Sequence, residues 1–184
     1  ELIEFLTNSG VSSDSLGITH STLLGNYTPG KSDIDVIIFG KKNGWKILNY
    51  LKTASHHLLK WKSDEEWAEY YKEHKTSESS HFTETEYVKH MSRKRYEGNF
   101  GDTVFTLFTA EEPDETWNSW GSESYTPLGL VTVTGKVVDH YNSIVRPGYY
   151  EITEGKKVGG DHADVNIDEN IPIKRIVTYS IPFV

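Results

Sequence analysis

Apolar residues recur along this chain in two rhythms, a helical one before about residue 100 and a strand-like one after it. Leu2, Ile3, Phe5 and Leu6, followed by Asn8-Ser9-Gly10, read as the last turns of a helix with a glycine stop. Leu16 to Thr19 predicts a short strand, Ser21 to Leu24 the opening turn of a helix, and Tyr27-Thr28-Pro29-Gly30 a turn. Ile34 to Phe39 is a near-continuous apolar run, which predicts a strand covered on both faces by helices. From Gly44 to about Lys60, the apolar positions Trp45, Ile47, Leu48, Leu51, Ala54 and Leu58 fit one amphipathic helix. Its His56-His57 pair reads as structural, because a helix places at most one of the two rings on any face. Ser63 to Glu66 and Thr83 to Glu86 are capping boxes that open helices running to about His74 and Lys94.

Beyond residue 101 the period falls to two. Residues 103–108, 128–138, 148–153 and 173–179 all read as strands, with Gly129 and Gly135 as bulges or bends in a curled sheet. A small antiparallel barrel is the expected form. The last residues, Ser180 to Val184, fall in what reads as mid-sheet, so the chain is expected to be a fragment or to lack a tail.

Composition narrows the class. With 36% hydrophobic and 12% aromatic residues among 184, the chain can bury a core, while a mean hydropathy of -0.55 gives it a strongly polar surface. No apolar run approaches the ~20 residues that cross a bilayer, and the start lacks the positive region of a signal peptide. Zero cysteines exclude disulfides and thiolate metal sites and fit a cytoplasmic protein. The net charge of -8 is concentrated in the second half, which repels phosphate backbones at long range. Broad nucleic-acid binding is therefore not supported, whereas a small nucleotide is compatible with it. The charge shift places a domain boundary near Gly98 to Gly101.

The chemistry concentrates at Asp33-Ile34-Asp35. Alternation on an extended strand aims both carboxylates one way and Ile34 the other. Two carboxylates on one face repel unless a cation sits with them, and Mg2+ takes one or two carboxylates plus substrate phosphates.

A strand at 16–19, a turn at His20-Ser21 and a second strand opening with Asp-x-Asp resemble the nucleotidyltransferase superfamily that includes DNA polymerase beta. Eleven residues separate Ser21 from Asp33, which suits that family's spacing between its Gly-Ser pair and its acids. The segment Leu23 to Gly40, with Tyr125-Thr-Pro-Leu-Gly129 and Pro147-Gly-Tyr-Tyr150, is similar to a group of archaeal predicted nucleotidyltransferases. The resemblance implies attack by a hydroxyl on the alpha-phosphate of a nucleoside triphosphate with release of pyrophosphate. It implies Asp33 and Asp35 as ligands of Mg2+ or Mn2+ and as catalytic groups. It also implies phosphate contacts from Ser21, Lys31 and Ser32, together with amides near Ser21, while His20 at the same turn reads as a packed or solvent-facing residue, with a phosphate or metal role as the alternative. For the family's third carboxylate the candidate is Asp102, with Glu97 in reserve. The family's glycine is His20 here, and a side chain at that point obstructs close phosphate approach.

The implied fold is α+β, with a nucleotidyltransferase-like mixed sheet flanked by helices over residues 1–100, its sheet extending to 109. A small antiparallel β domain, barrel-like in the expected form, follows over 101–184. The implied function is a Mg2+-dependent nucleotidyltransferase whose acceptor is open among a protein hydroxyl, an RNA end and a small molecule. The alternative is a catalytically silent protein of this fold that binds a nucleotide or a partner. Asp161 to Asp164 reads as a hairpin connection rather than a calcium loop. Trp117 and Trp120 read as packing over the second domain. Lys89, Arg93, Lys94 and Arg95 read as a solvated helix end.

Overall fold

The computed structural model describes residues 1–74, 82–116, 121–127, 129, 131–159 and 172–179. The chain forms two compact units, one over Glu1–Glu112 and one that begins at Pro113. The first contains, in chain order, α1 (Leu2–Thr7), β1 (Leu16–Ile18), α2 (His20–Leu24), β2 (Ile34–Phe39), α3 (Lys41–Leu51), β3 (Leu59–Lys60), α4 (Asp64–Glu73), α5 (Glu84–Lys94), β4 (Glu97–Phe100) and β5 (Thr103–Ala110). Its five strands lie in the order β1-β2-β5-β4-β3, with β2 and β5 parallel and every other pair antiparallel. The fold is α+β.

The apolar run at 34–39 forms the centre of this sheet. Val36 and Ile38 on β2, with Phe105 and Leu107 on β5, fill one face and are buried. Helix α3 completes that core: it packs against β2 and β5 and contributes Ile47, Leu48 and Leu51. From α1, Phe5 touches Tyr50 of α3 and Phe100 of β4, at ring separations of 5.4 and 5.6 Å. The other face, which carries Asp35, is less covered: Ile37 is half-buried and Phe39 is exposed. Coverage by helices on both faces, expected from the apolar run, therefore holds along one face of β2 and fails toward the end of the other.

The helix expected over 44–60 stops at Leu51. The Arg95 guanidinium donates to the carbonyls of Leu51 and Lys52, at 3.3 and 3.2 Å, and so satisfies acceptors that another helical turn would have used. His56 and His57 consequently lie outside any helix. Their rings are 4.4 Å apart, and His56 stacks on Phe100 at 5.0 Å. Both capping boxes form as read, Ser63 accepting from the Glu66 amide and Thr83 from that of Glu86, with each glutamate reaching back to the cap amide.

The second unit holds β6 (Thr132–Asp139), β7 (Gly148–Gly159) and β8 (Ile173–Thr178) in one antiparallel sheet of order β6-β7-β8. Among the described residues this is an open three-stranded sheet, so the expected barrel does not close. The β6–β7 register shifts between Thr134 and Lys136, at Gly135, where a β-carbon would meet Ile152 at 3.1 Å. The bulge expected at that glycine is present. Gly129 lies before the strand with φ of 119°. Asp161 to Asp164, Trp117 and Trp120 lie outside the described residues.

Candidate functional site

The site is assembled where β1, β2 and α2 meet. Antiparallel pairing of Ile18 with Val36 ends β1 beside the start of β2, and the Thr19 amide donates to the Asp35 carbonyl at 3.0 Å. The chain then turns into α2, and the Thr22 hydroxyl donates to the Asp33 carbonyl at 3.4 Å. This turn requires a left-handed backbone at His20, with φ of 53°. Glycine adopts that region freely, and other residues do so at a cost of about 1 kcal/mol.

His20 is thereby brought onto Asp35. Its Nδ1 lies 3.2 Å from Asp35 Oδ2, and its ring leans on Phe108 of β5 with centroids 5.6 Å apart. The Asp35 side chain is 12% exposed and that of His20 62%, so the acid forms the floor and the imidazole the mouth. The pKa of Asp35 is raised above its ordinary 3.8, first by burial and then by the charge of Asp33, while the charge and hydrogen bond of His20 pull it down. Asp33 precedes β2, is half-buried, and acts on Asp35 as a like charge.

The remaining candidates scatter around this centre. Ser21 occupies the first turn of α2 and is half-buried. Lys31 is exposed in the turn that precedes β2. The Ser32 hydroxyl accepts from the Thr28 amide at 2.9 Å, so it closes that turn. Asp102 is exposed in the turn between β4 and β5. Asp35 pairs with Thr106, four residues further along β5, which leaves Asp102 about 13 Å away along the strand.

Register brings the reserve candidate nearer. Thr106 pairs with Asp35 on one side and with Glu97 on the other, so all three side chains project from one face of the sheet. Two strand spacings put Glu97 roughly 10 Å from Asp35. Its carboxylate is bound by Lys62, whose ammonium also lies 4.4 Å from the ring centre of Trp67. Thr106, Phe108 and Lys62 escape a reading of the sequence because only strand pairing between distant segments assembles them. Of the basic run, Arg95 ties down α3 and Lys94 is buried near Tyr96, so only Lys89 and Arg93 extend into solvent.

Two neighbouring carboxylates, one of them buried and raised in pKa by the charge of the other, suit an oxygen-preferring divalent cation. Among the described residues, no group of three or more histidine, aspartate and glutamate side chains is gathered to enclose a metal ion. A cation here would be held at few points by the protein and completed by substrate oxygens and water, which is how Mg2+ is commonly bound.

In the second unit, the Tyr125 hydroxyl donates to Glu123 at 2.6 Å, Glu123 meets Arg175 at 3.8 Å, and Arg175 lies 5.2 Å from the ring centre of Tyr149. The two C-terminal segments singled out in the sequence, 125–129 and 147–150, are linked through this chain of contacts.

No helix among the described residues is long and apolar enough to cross a membrane. No protein-family model matches the sequence, and no solved structure matches it. Over 153 residues the chain is 32% identical to an uncharacterized protein of the archaeon Methanocaldococcus jannaschii, a match covering 83% of this chain and 44% of that protein. The chain thus has an archaeal relative and spans less than half of that relative's length.

Proposed function

We propose that the first unit is a nucleotidyltransferase that uses Mg2+ or Mn2+ to transfer a nucleoside monophosphate from a nucleoside triphosphate to an acceptor hydroxyl. The observation that carries this reading is the burial of Asp35 beside Asp33 at the start of β2, next to the turn into α2. Two neighbouring like charges are costly to keep without a cation, and the His20 contact does not cancel that cost, because the pKa of Asp35 stays raised. Asp33 and Asp35 would hold the metal, which when bound supplies charge neutralisation at the phosphates and a lowered pKa for the attacking hydroxyl. Ser21 and Lys31, both before the acids in the chain, supply a hydroxyl and a positive charge to the triphosphate. Asp102, the candidate third carboxylate, lies in the turn between β4 and β5.

A second reading, a silent nucleotide- or partner-binding protein, is favoured by two observations. A side chain occupies the family's glycine position at His20, and Glu97, the acid on Asp35's rung, is already neutralised by Lys62.

Thermal shift with Mg2+ or Mn2+ and each nucleoside triphosphate tests the enzymatic reading, since a ligand of the folded state raises the melting temperature. The expected result is a rise that needs both metal and nucleotide and is lost in Asp35→Asn. A shift unchanged by that substitution removes the acid from nucleotide binding and favours the second reading.

A further inference from the structure

Helices α4 and α5 pack side by side, and an open groove of about 660 Å³ runs between them. Two contacts fix their register. The Ser92 hydroxyl donates to Asp64 Oδ1 at 2.6 Å at one end, and Lys72 meets Glu84 at 3.4 Å at the other. The helices therefore run antiparallel, with Ala68 level with Val88 midway along the groove. The same register sets Glu65 at a height between those of Lys89 and Arg93.

The middle of the groove is small and apolar, since Ala68 and Val88 line it and both are half-buried. Its walls carry opposite charges. Glu65 stands on the α4 wall, Lys89 and Arg93 stand on the α5 wall, and all three are exposed. None of them forms an ion pair with another described residue. At the far end the signs reverse, with Lys72 on α4 and Glu84 on α5.

A face charged in this way is its own complement. A two-fold axis parallel to the helices lays α4 of one copy on α5 of the other and leaves heights along the axis unchanged. Glu65 then enters the gap between Lys89 and Arg93 of the second copy, Lys72 faces Glu84, and Ala68 faces Val88, each contact being made twice. All neighbouring helices run antiparallel, as in up-down four-helix bundles, and the short side chains at the centre permit close approach. A two-fold axis across the helices would instead set α5 on α5, where Glu84 is the one groove-lining acid for both Lys89 and Arg93.

We propose that this groove is the contact between two copies of the chain, which pair through α4 and α5 about a two-fold axis parallel to those helices. The occupant is a second copy because the chain itself supplies the matching charges at matching heights. This contact is independent of the reading of Asp33 and Asp35. Helices of this length span only about 15 Å, so the patch is small and the pairing weak, with half-dissociation expected at about 0.1 mM.

Sedimentation velocity on the full chain tests it, from about 5 μM to about 0.5 mM protein, because a dimer forms by mass action. In about 50 mM salt the sedimentation coefficient is expected to climb from monomer toward dimer, and in about 0.5 M salt the climb is expected to shrink. Lys89→Glu with Arg93→Glu in one variant, and Glu65→Lys in another, oppose like charges across the seam. Each is expected to weaken self-association about tenfold or more. An equimolar mixture of the two variants sets opposite charges across both seams again and is expected to dimerise at least as well as the parent. All three positions are exposed, and circular dichroism checks that the variants fold. Lys89→Ala with Arg93→Ala, which introduces no like charge, is expected to weaken pairing and to remove most of its salt dependence.

A parent chain that stays monomeric at about 0.5 mM in low salt overturns the inference. Self-association that persists unchanged in the charge variants places the contact elsewhere and overturns it too. So does a mixture of folded variants that remains monomeric, or an alanine variant that keeps the salt dependence of the parent.

Discussion

The indole of Trp61 lies so close over Gly98 that a β-carbon there would stand 2.9 Å from two ring atoms and 3.2 Å from the Lys60 carbonyl oxygen. This contact matters beyond β4, because Trp61 also meets Phe105 edge-on at 6.1 Å and lies under Arg95, whose guanidinium carbon is 5.4 Å from a ring centre. Gly98→Ala is expected to destabilise the chain by about 1–3 kcal/mol through overpacking. Urea unfolding followed by tryptophan fluorescence measures it.

Asp35 links the site to stability. Its raised pKa means the folded chain holds this proton more tightly than the unfolded one, so its favourable contribution is complete below pH 3.8 and is lost as pH rises through the raised value. At neutral pH the buried, Asp33-facing charge is a net burden. Asp35→Asn is expected to melt at a higher temperature than the parent at pH 7, with the difference shrinking toward pH 3.8. A lower melting temperature at pH 7 would instead give the His20 contact more weight than burial and repulsion.

His90 gives the opposite sign. Burial, then the charges of Lys94 and Arg93, push its pKa from 6.5 down to about 4. The unfolded chain takes up this proton first, so stability is lost as pH falls from 6.5 to about 4. For a half-buried ring, solvent screening reduces the full linkage, and a loss of about 1–2 kcal/mol is expected. His90→Gln is expected to flatten the dependence of unfolding free energy on pH across this window, whatever its effect at pH 7.

The capping boxes offer a local test. Ser63→Ala and Thr83→Ala each remove the side-chain acceptor for an amide of the first turn of α4 or α5. Each is expected to cost about 1 kcal/mol, or ~2–4 °C in melting temperature for a chain of this size. Circular dichroism melts read the change.

What could be read from the sequence, and what could not, follows the range of the interactions involved. Capping boxes are local chemistry, and α4 and α5 begin where Ser63 and Thr83 place them. The end of α3 is not local. Ala54 and Leu58 continue its apolar period, yet the helix stops because Arg95, more than forty residues later, binds its last carbonyls. Strand β4, Glu97–Phe100, was hidden by Gly98 and Asn99, poor strand formers, and Gly98 is required there by Trp61. Within the site, the closeness of Asp33 to Asp35 follows from a spacing of two residues alone. The third position depends on how β5 registers with β2, which assigns Thr106 to the rung and leaves Asp102 in a turn.

The parallel pairing of Ile34 with Phe105 joins segments about 70 residues apart, so the acid-bearing strand waits for its inner neighbour until that much more chain has emerged from the ribosome. Until then β2 has β1 on one side and an open ladder on the other, a row of amides and carbonyls that invites foreign strands. Cutting the chain near Gly98 to Gly101, where its charge changes, would make that transient state permanent. Expression fragments meant to carry the Asp33–Asp35 centre therefore need to extend through Ala110 to remain soluble.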